Sequence, residues 1–290
     1  MKKQWKGYLF IMPWLIGLLA FTVIPMIFSL YISFTEWPIL KGPTFIFLDN
    51  YINIFQDPMF YNALVVTLKY VIFTVFPILI ISLLIAVLLN TKIQFRGFFR
   101  TIFYLPAVLP SVAVALVWAL FYNSDYGLFN NILRTLGLYA PKWLGDPNWA
   151  LAAVCIMSIW SGCSTNIILF LAGLQGISRS YYEAAQLDGA GPFQKLKNIT
   201  VPLVSPVIFF NLIMLIINSF QVFSAAMMLT KGGPADATRF YVLYLYDNAF
   251  SYYKMGYASA LAWLLFLIIL GLNLFVFKTS EKWVYYEGGE

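Results

Sequence analysis

A chain of 290 residues that is 61% hydrophobic and 10% charged, with a mean hydropathy of +0.80, departs from soluble globular composition, in which about 25% of residues are charged. Its formal net charge is +6, and it contains no histidine, which excludes His-based metal sites and His-based catalytic triads. The cations cluster at the ends of apolar runs rather than along one helix face, so they do not form a nucleic-acid patch.

The chain reads as an all-α integral membrane protein with six transmembrane helices, rich in the Trp and Tyr of interfacial belts. The first apolar run, Tyr8 to Phe34, follows Lys2, Lys3 and Lys6. It exceeds the roughly 7–15 residues of a signal-peptide core and no A-x-A site follows, so a spanning helix is expected, with Pro13 near its start and a kink at Pro25. A polar and aromatic connector, Glu36 to Tyr61, carries Lys41, Asp49 and Asp57. Span two is predicted over Ala63 to Leu89, with Lys69 snorkelling near its outer end. The loop Asn90 to Thr101 holds Lys92, Arg96 and Arg100 and no acid. Span three follows at Ile102 to Tyr122, its entry broken by Pro106 and Pro110.

The stretch Asn123 to Asn148 reads as an external loop punctuated by Gly127, Gly137, Pro141, Gly145 and Pro147. Span four is predicted over Trp149 to Leu174. It contains both cysteines, Cys155 and Cys163; at roughly 1.5 Å per residue they lie about 12 Å apart on one helix, too far for a disulfide. A polar stretch, Ser178 to Pro206, separates this span from the next. Within it, Ser180 and Glu183 form an S-x-x-E capping box that starts a helix at Tyr181. Gly189 stops the helix, because glycine accepts a left-handed backbone, and Pro192 opens a second short helix, Pro192 to Asn198. The outcome is an elbow with Ala184 and Ala185 on its surface.

Span five is expected from Val201 to Leu229, then a loop from Thr230 to Met255, then span six from Gly256 to Phe277, closed by Lys278 and Lys282. With both termini and the elbow in the cytoplasm, most cations fall inside, as the positive-inside rule requires. The spans contain no acid, which counts against an ATP-independent secondary transporter or channel, the competing class. A membrane-embedded enzyme would lack paired acids or a histidine for proton transfer, so no catalytic residue and no metal ligand is assigned.

Several stretches carry a family resemblance. Glu183-Ala184-Ala185, Gly189, Ile199 and Pro202 resemble the EAA loop of permease subunits in ABC importers, with Val201 where that family usually has leucine. Leu48-Asp49-Asn50-Tyr51, Phe99-Arg100-Thr101 with Leu105-Pro106, and Leu171-Ala172-Gly173-Leu174 are similar to oligosaccharide-type permeases of binding-protein-dependent importers. So are Thr230-Lys231-Gly232-Gly233-Pro234, Ala249-Phe250 and Met255-Gly256-Tyr257-Ala258. The Gly-Gly-Pro stretch resembles the maltose-transporter large-subunit type, without that protein's extra external domain.

The resemblance implies an ABC importer type I permease fold over residues 1–290 as a single transmembrane domain, with the coupling elbow at 178–200, in a bacterial cell membrane. It also implies a second permease, two ABC ATPase subunits, an extracytoplasmic solute-binding protein and a carbohydrate solute, with surrounding lipid. No G-x-x-x-x-G-K-[ST] motif is present, so this chain is expected to hold no cofactor, ATP and Mg being bound by the partner ATPase. Coupling to that ATPase is assigned to Glu183, Ala184, Ala185, Asp188 and Gly189. For the solute path, Asn211, Asn218 and Gln221 fall within a broad common face of span five with Ser224 at or past its edge; lining and helix-helix glue are both open for them. Trp118, Tyr122, Trp160 and Asn166 are candidates for stacking and hydrogen bonding to a sugar, with interface anchoring or core packing the alternative for each aromatic.

Overall fold

Apolar runs of about 20 residues must satisfy their backbone internally in a bilayer, so they fold as helices. The computed structural model describes residues 4–38, 42–91 and 94–286, with side chains from Phe10 onward. Lys2, Lys3, Lys41 and Lys92, which bear on the positive-inside expectation, lie outside the described residues, as does the side chain of Lys6. The elements run α1 (Gln4–Leu18), α2 (Ile24–Ser33), β1 (Thr35–Glu36), β2 (Thr44–Phe45), α3 (Asp49–Gln56), α4 (Pro58–Asn90), α5 (Arg96–Val108), α6 (Ser111–Phe121) and α7 (Leu128–Thr135). They continue with α8 (Pro147–Gln175), α9 (Arg179–Leu187), α10 (Pro192–Lys195), α11 (Val201–Phe220), α12 (Ser224–Leu229), α13 (Tyr241–Tyr246) and α14 (Met255–Ser280). Among the described residues, five helical stretches are long and apolar enough to cross a membrane: Phe10–Ser33, Pro58–Asn90, Pro147–Gln175, Pro192–Phe220 and Met255–Ser280. The pair α5–α6, bent by 102°, makes the sixth when counted as one span.

Prolines shape these spans in two ways. Pro25 and Pro202 are each preceded by a π-helical turn, Leu19–Val23 and Leu196–Thr200. A wider turn accommodates a ring that would otherwise meet the carbonyl four residues back and that supplies no N–H. Pro106, expected to break span three, instead sits buried inside α5. The break falls at Leu109 and Pro110, where the residue before proline turns extended (Leu109 φ −78°, ψ 137°).

Contacts divide the chain into two units, Met1–Phe60 with Tyr244–Ile268, and Tyr61–Leu243 with Ile269–Glu290. In the first, β1 and β2 pair antiparallel with Thr35 opposite Phe45. Asn50, buried at the start of α3, donates from Nδ2 to the carbonyls of Ser33 and Thr35 at 2.9 Å each. Gly256 lies against the same carbonyl: a Cβ there would fall 1.8 Å from the Thr35 oxygen. Two motifs far apart in sequence, around Asn50 and Gly256, thus clasp one strand.

In the second unit, α4, α8 and α11 share a core around Val75, Ala86, Cys163, Phe170 and Val204. A second cluster of Val114, Trp118, Tyr122 and Ala153 joins α6 to α8. Both cysteines are free and buried, consistent with packing residues. Small residues set close helix approach: a Cβ on Gly173 would meet Val207 Cγ2 at 2.6 Å.

Several expectations are corrected. Span five ends at Phe220, and α12 is a separate helix after Gln221–Phe223. No Gly or Pro marks that break; Val222, Phe223 and Ala225 pack around buried Tyr70, Val154 and Phe240, and this packing overrides an apolar run that reads as continuous. The stretch Asn123 to Asn148, expected as loop, contains α7, whose flanking glycines are caps rather than loop: Gly127 is its N-cap, and Gly137 takes φ 69° after its end. Leu138 N–H bonds the Leu133 carbonyl and Gly137 N–H that of Arg134, which satisfies the last turn. Likewise the stretch Thr230 to Met255 contains α13.

Candidate functional site

The elbow begins with Ser178, whose hydroxyl accepts from Ser180 N–H at 3.4 Å. The capping residue is therefore Ser178, not Ser180, and α9 starts at Arg179. This shift places Glu183 on the fifth helical residue, beyond reach of a capping-box contact, and leaves its carboxylate exposed with no hydrogen bond or ion pair among the described residues. At the other end Asp188 is the C-cap, and Gly189 follows with φ 75°. Ala190 N–H bonds the Ala185 carbonyl at 2.8 Å and Gly189 N–H that of Gln186 at 3.1 Å. This is a Schellman closure, and it needs a residue at ease in the left-handed region.

Gly191 then caps α10, its N–H donating to Gln194 Oε1 at 2.8 Å, with Pro192 at the first position. The expected second short helix ending at Asn198 does not stop there. It runs through the π turn into α11, so Pro192–Phe220 is one span. Tyr182 and Thr200 hydroxyls, 3.1 Å apart, tie the two arms of the elbow. Ala184 is exposed and Ala185 partly so. On this otherwise polar bend Leu187 is 90% exposed and Phe193 74%.

The solute-path candidates separate into distinct surroundings. Asn211 and Asn218 share a face of α11 but lie about 10 Å apart along it. Asn211 is fully buried with both amide atoms unpaired. Asn218 is exposed, its Nδ2 donating to the Met214 carbonyl at 2.8 Å. Together with Ser224 it lines a cavity of about 570 Å³ whose polar wall is completed by Ser111, Ser158, Ser161 and Ser219. Gln221 is exposed at the end of α11 and is not part of that lining. Trp118 and Trp160, with ring centroids 5.6 Å apart, line a different and mainly apolar cavity of about 470 Å³. Tyr122 is buried among aromatic rings and donates to the Ala153 carbonyl at 2.7 Å. Asn166 is buried, its Nδ2 on the Gly162 carbonyl of its own helix at 2.7 Å.

Sequence reasoning passed over the serines. Ser158 and Ser161 stand three residues apart on α8, a helical spacing that places both on one face, and this signal was legible. Asp57 was also passed over. It sits beside a cavity of about 720 Å³ in the first unit, lined by Trp37, Asp49, Asn53, Tyr252 and Lys254 among others. Its Oδ2 accepts from the Tyr244 hydroxyl and from the Tyr257 hydroxyl at 2.8 Å, and Oδ1 accepts from Met59 N–H at 2.8 Å. Burial alone would push the carboxyl up, but these hydrogen bonds from Tyr244, Tyr257 and Met59 together outweigh it and hold the group below the usual carboxylate value. Among the described residues, no group of three or more His, Cys, Asp or Glu side chains is placed to hold a metal ion.

A profile of the family described as "Binding-protein-dependent transport system inner membrane component" matches residues 78–279. The chain is 42% identical to the "Probable ABC transporter permease protein YesP" of Bacillus subtilis (strain 168) over 294 residues, covering 100% of this chain and 94% of that one. It is 36% identical to the "Trehalose/maltose transport system permease protein MalF" of Thermococcus litoralis over 279 residues, 95% and 93% of the two chains. Among solved structures, a chain of a bacterial alginate ABC transporter in complex with an alginate pentasaccharide-bound periplasmic protein superposes with a TM-score of 0.84 at 26% identity, over 96% of this chain and 95% of that one. Membrane-length helices, an exposed elbow between two of them and these likenesses agree: the chain belongs to the inner membrane components of binding-protein-dependent transport systems, as a multi-pass, non-catalytic permease subunit.

Proposed function

We propose that this chain is one permease of an ATP-driven carbohydrate importer, working with a second permease by alternating access and driven through the elbow at 178–200. The carbohydrate assignment is supported by the trehalose/maltose relative and the alginate transporter. Residues 1–290 act as a single transmembrane domain, with both termini and the elbow in the cytoplasm of a bacterial cell. Two ABC ATPases bind ATP and its Mg²⁺, and an extracytoplasmic binding protein delivers the solute.

The observation that carries this reading is the elbow surface: Leu187 and Phe193, largely uncovered, and an exposed Glu183 carboxylate share one hydrogen-bonded bend. Apolar anchors rimmed by charge are what a docking surface presents. Glu183 contributes the charged contact to the ATPase, Ala184 and Ala185 permit close approach, and Asp188 and Gly189 set the turn. The solute path runs by the serine-lined cavity with Asn218 and Ser224, where hydroxyl and amide groups suit a polyol. Asn211, Gln221, Trp118, Tyr122, Trp160 and Asn166 support that path from outside the cavity wall.

The test is Glu183→Ala in the reconstituted importer. Uptake should fall about ten-fold while membrane level is unchanged and the ATPases lose their response to loaded binding protein. Unchanged uptake would remove the elbow from the coupling. ATP-independent uptake by the isolated chain would instead favour a secondary transporter.

A further inference from the structure

The elbow-side end of the second unit carries a cation with no ion-pair partner among the described residues. From Pro58 to Ser124 the sequence has Lys69, Lys92, Arg96 and Arg100 and no acid, and α8 has none either. Between the ends of α4, α5 and α8 lies a cavity of about 380 Å³, with Arg100, Thr101 and Gln175 at one end and Ser164 at the other. Along α8 the two ends are about 16 Å apart. The wall between them is apolar, formed by Phe103, Ile168 and Leu171. Arg100 Nε is buried without an acceptor, and the Ser164 hydroxyl, 1% exposed, also has no partner. Among the described residues Arg96 reaches Asn90 Oδ1, at 3.4 Å, and its own Nε is unpaired.

Buried polar groups left unpaired cost about 1–3 kcal/mol each, more when charged. The elements enclosing this cleft supply no anion, and no described residue pairs with Arg100 Nε, which points to an acceptor from outside the chain. A small soluble anion would answer Arg100 but leave the apolar wall in contact with water. An occupant with a negative head and a hydrocarbon tail answers the Arg100 end and covers the apolar wall, though not the Ser164 hydroxyl, and basic clefts between membrane helices suit such head groups.

We propose that this cleft holds one anionic phospholipid, with its phosphodiester on the Arg100 guanidinium and an acyl chain along Ile168 and Leu171. The site goes beyond the permease assignment and rests only on the chain being a membrane-spanning subunit. It gives a role to Arg100, which the solute path and the elbow leave unused.

The test uses the complete importer, purified in mild detergent, with retained lipid read by native mass spectrometry. The same complex is melted in nanodiscs of phosphatidylcholine alone or mixed with phosphatidylglycerol. Wild type should retain phosphatidylglycerol over phosphatidylcholine and melt higher in the mixed discs. Arg100→Gln, which keeps donors but removes the charge, should bind phosphatidylglycerol about five-fold more weakly. Ile168→Trp, which narrows the tail groove from its exposed side, should also lose it. Equal behaviour of wild type in the two discs overturns the proposal whether or not the variants fold. So does an equal melting shift from inorganic phosphate without lipid, which would mark a free-anion site. An Ile168→Cys cross-link to the second permease with no retained lipid would show the cleft to be a subunit contact. Uptake by wild type is measured alongside, so failure of the lipid site and failure of the permease reading give different results.

Discussion

Gly189 offers a graded test of the elbow. Its φ of 75° closes the last turn of α9 through two hydrogen bonds, Ala190 N–H to Ala185 and Gly189 N–H to Gln186. A Cβ at this position would meet nothing within 4 Å, so the cost of Gly189→Ala is conformational rather than steric. Placing an L-residue in the left-handed region costs about 1–2 kcal/mol, which lowers the population of the closed turn by about five- to thirty-fold. Asn tolerates this region better and should fall between Gly and Ala. Proline cannot reach a positive φ and also lacks the N–H that bonds Gln186, so Gly189→Pro loses the closure altogether. The assay is the number of ATP molecules hydrolysed per solute taken up in proteoliposomes, with membrane level controlled. Coupling should fall in the order Gly, Asn, Ala, Pro. An Ala variant worse than Pro, or a Pro variant coupled like wild type, refutes the claim that this backbone turn transmits the stroke.

Other outcomes follow from the same geometry. Gly256→Ala would drive a methyl into the Thr35 carbonyl, where the 1.8 Å approach is to backbone rather than to a flexible side chain; a loss of about 1–3 kcal/mol is expected as a lower melting temperature and yield, and a normal melt would mean that the strand yields freely. Asp57→Asn keeps one acceptor where the carboxylate answers three donors, so about 2 kcal/mol should be lost near neutral pH. Because the Asp57 carboxyl is depressed in the folded chain, its contribution is present above the ordinary carboxylate value and fades as pH falls through the folded one; the gap between wild type and Asp57→Asn in thermal unfolding should therefore close in acid and not in base. Ser161→Trp would fill the serine-lined cavity from the middle of α8; uptake should drop with elbow coupling to the ATPases intact, and unimpaired uptake would move the solute path elsewhere.

The sequence by itself determined where the chain crosses the bilayer and where the elbow turns. A bilayer asks every spanning segment for about 20 apolar residues whatever its neighbours, so span positions are local properties. Gly189 was legible for a similar reason, since a helix that must end on a left-handed residue announces it. Tertiary structure decided what depends on a neighbour. Phe220 ends α11 within an apolar run because the following residues are claimed by the packing around Tyr70 and Phe240. Asn211 and Asn218 are alike in residue type and helix face, yet one is fully buried and the other opens onto a cavity, because depth is set by what covers the helix at each level. Ser178 displaced Ser180 as the cap by the same logic: either hydroxyl satisfies the local pattern, and only the exit path of α8 determines which one meets the free N–H groups.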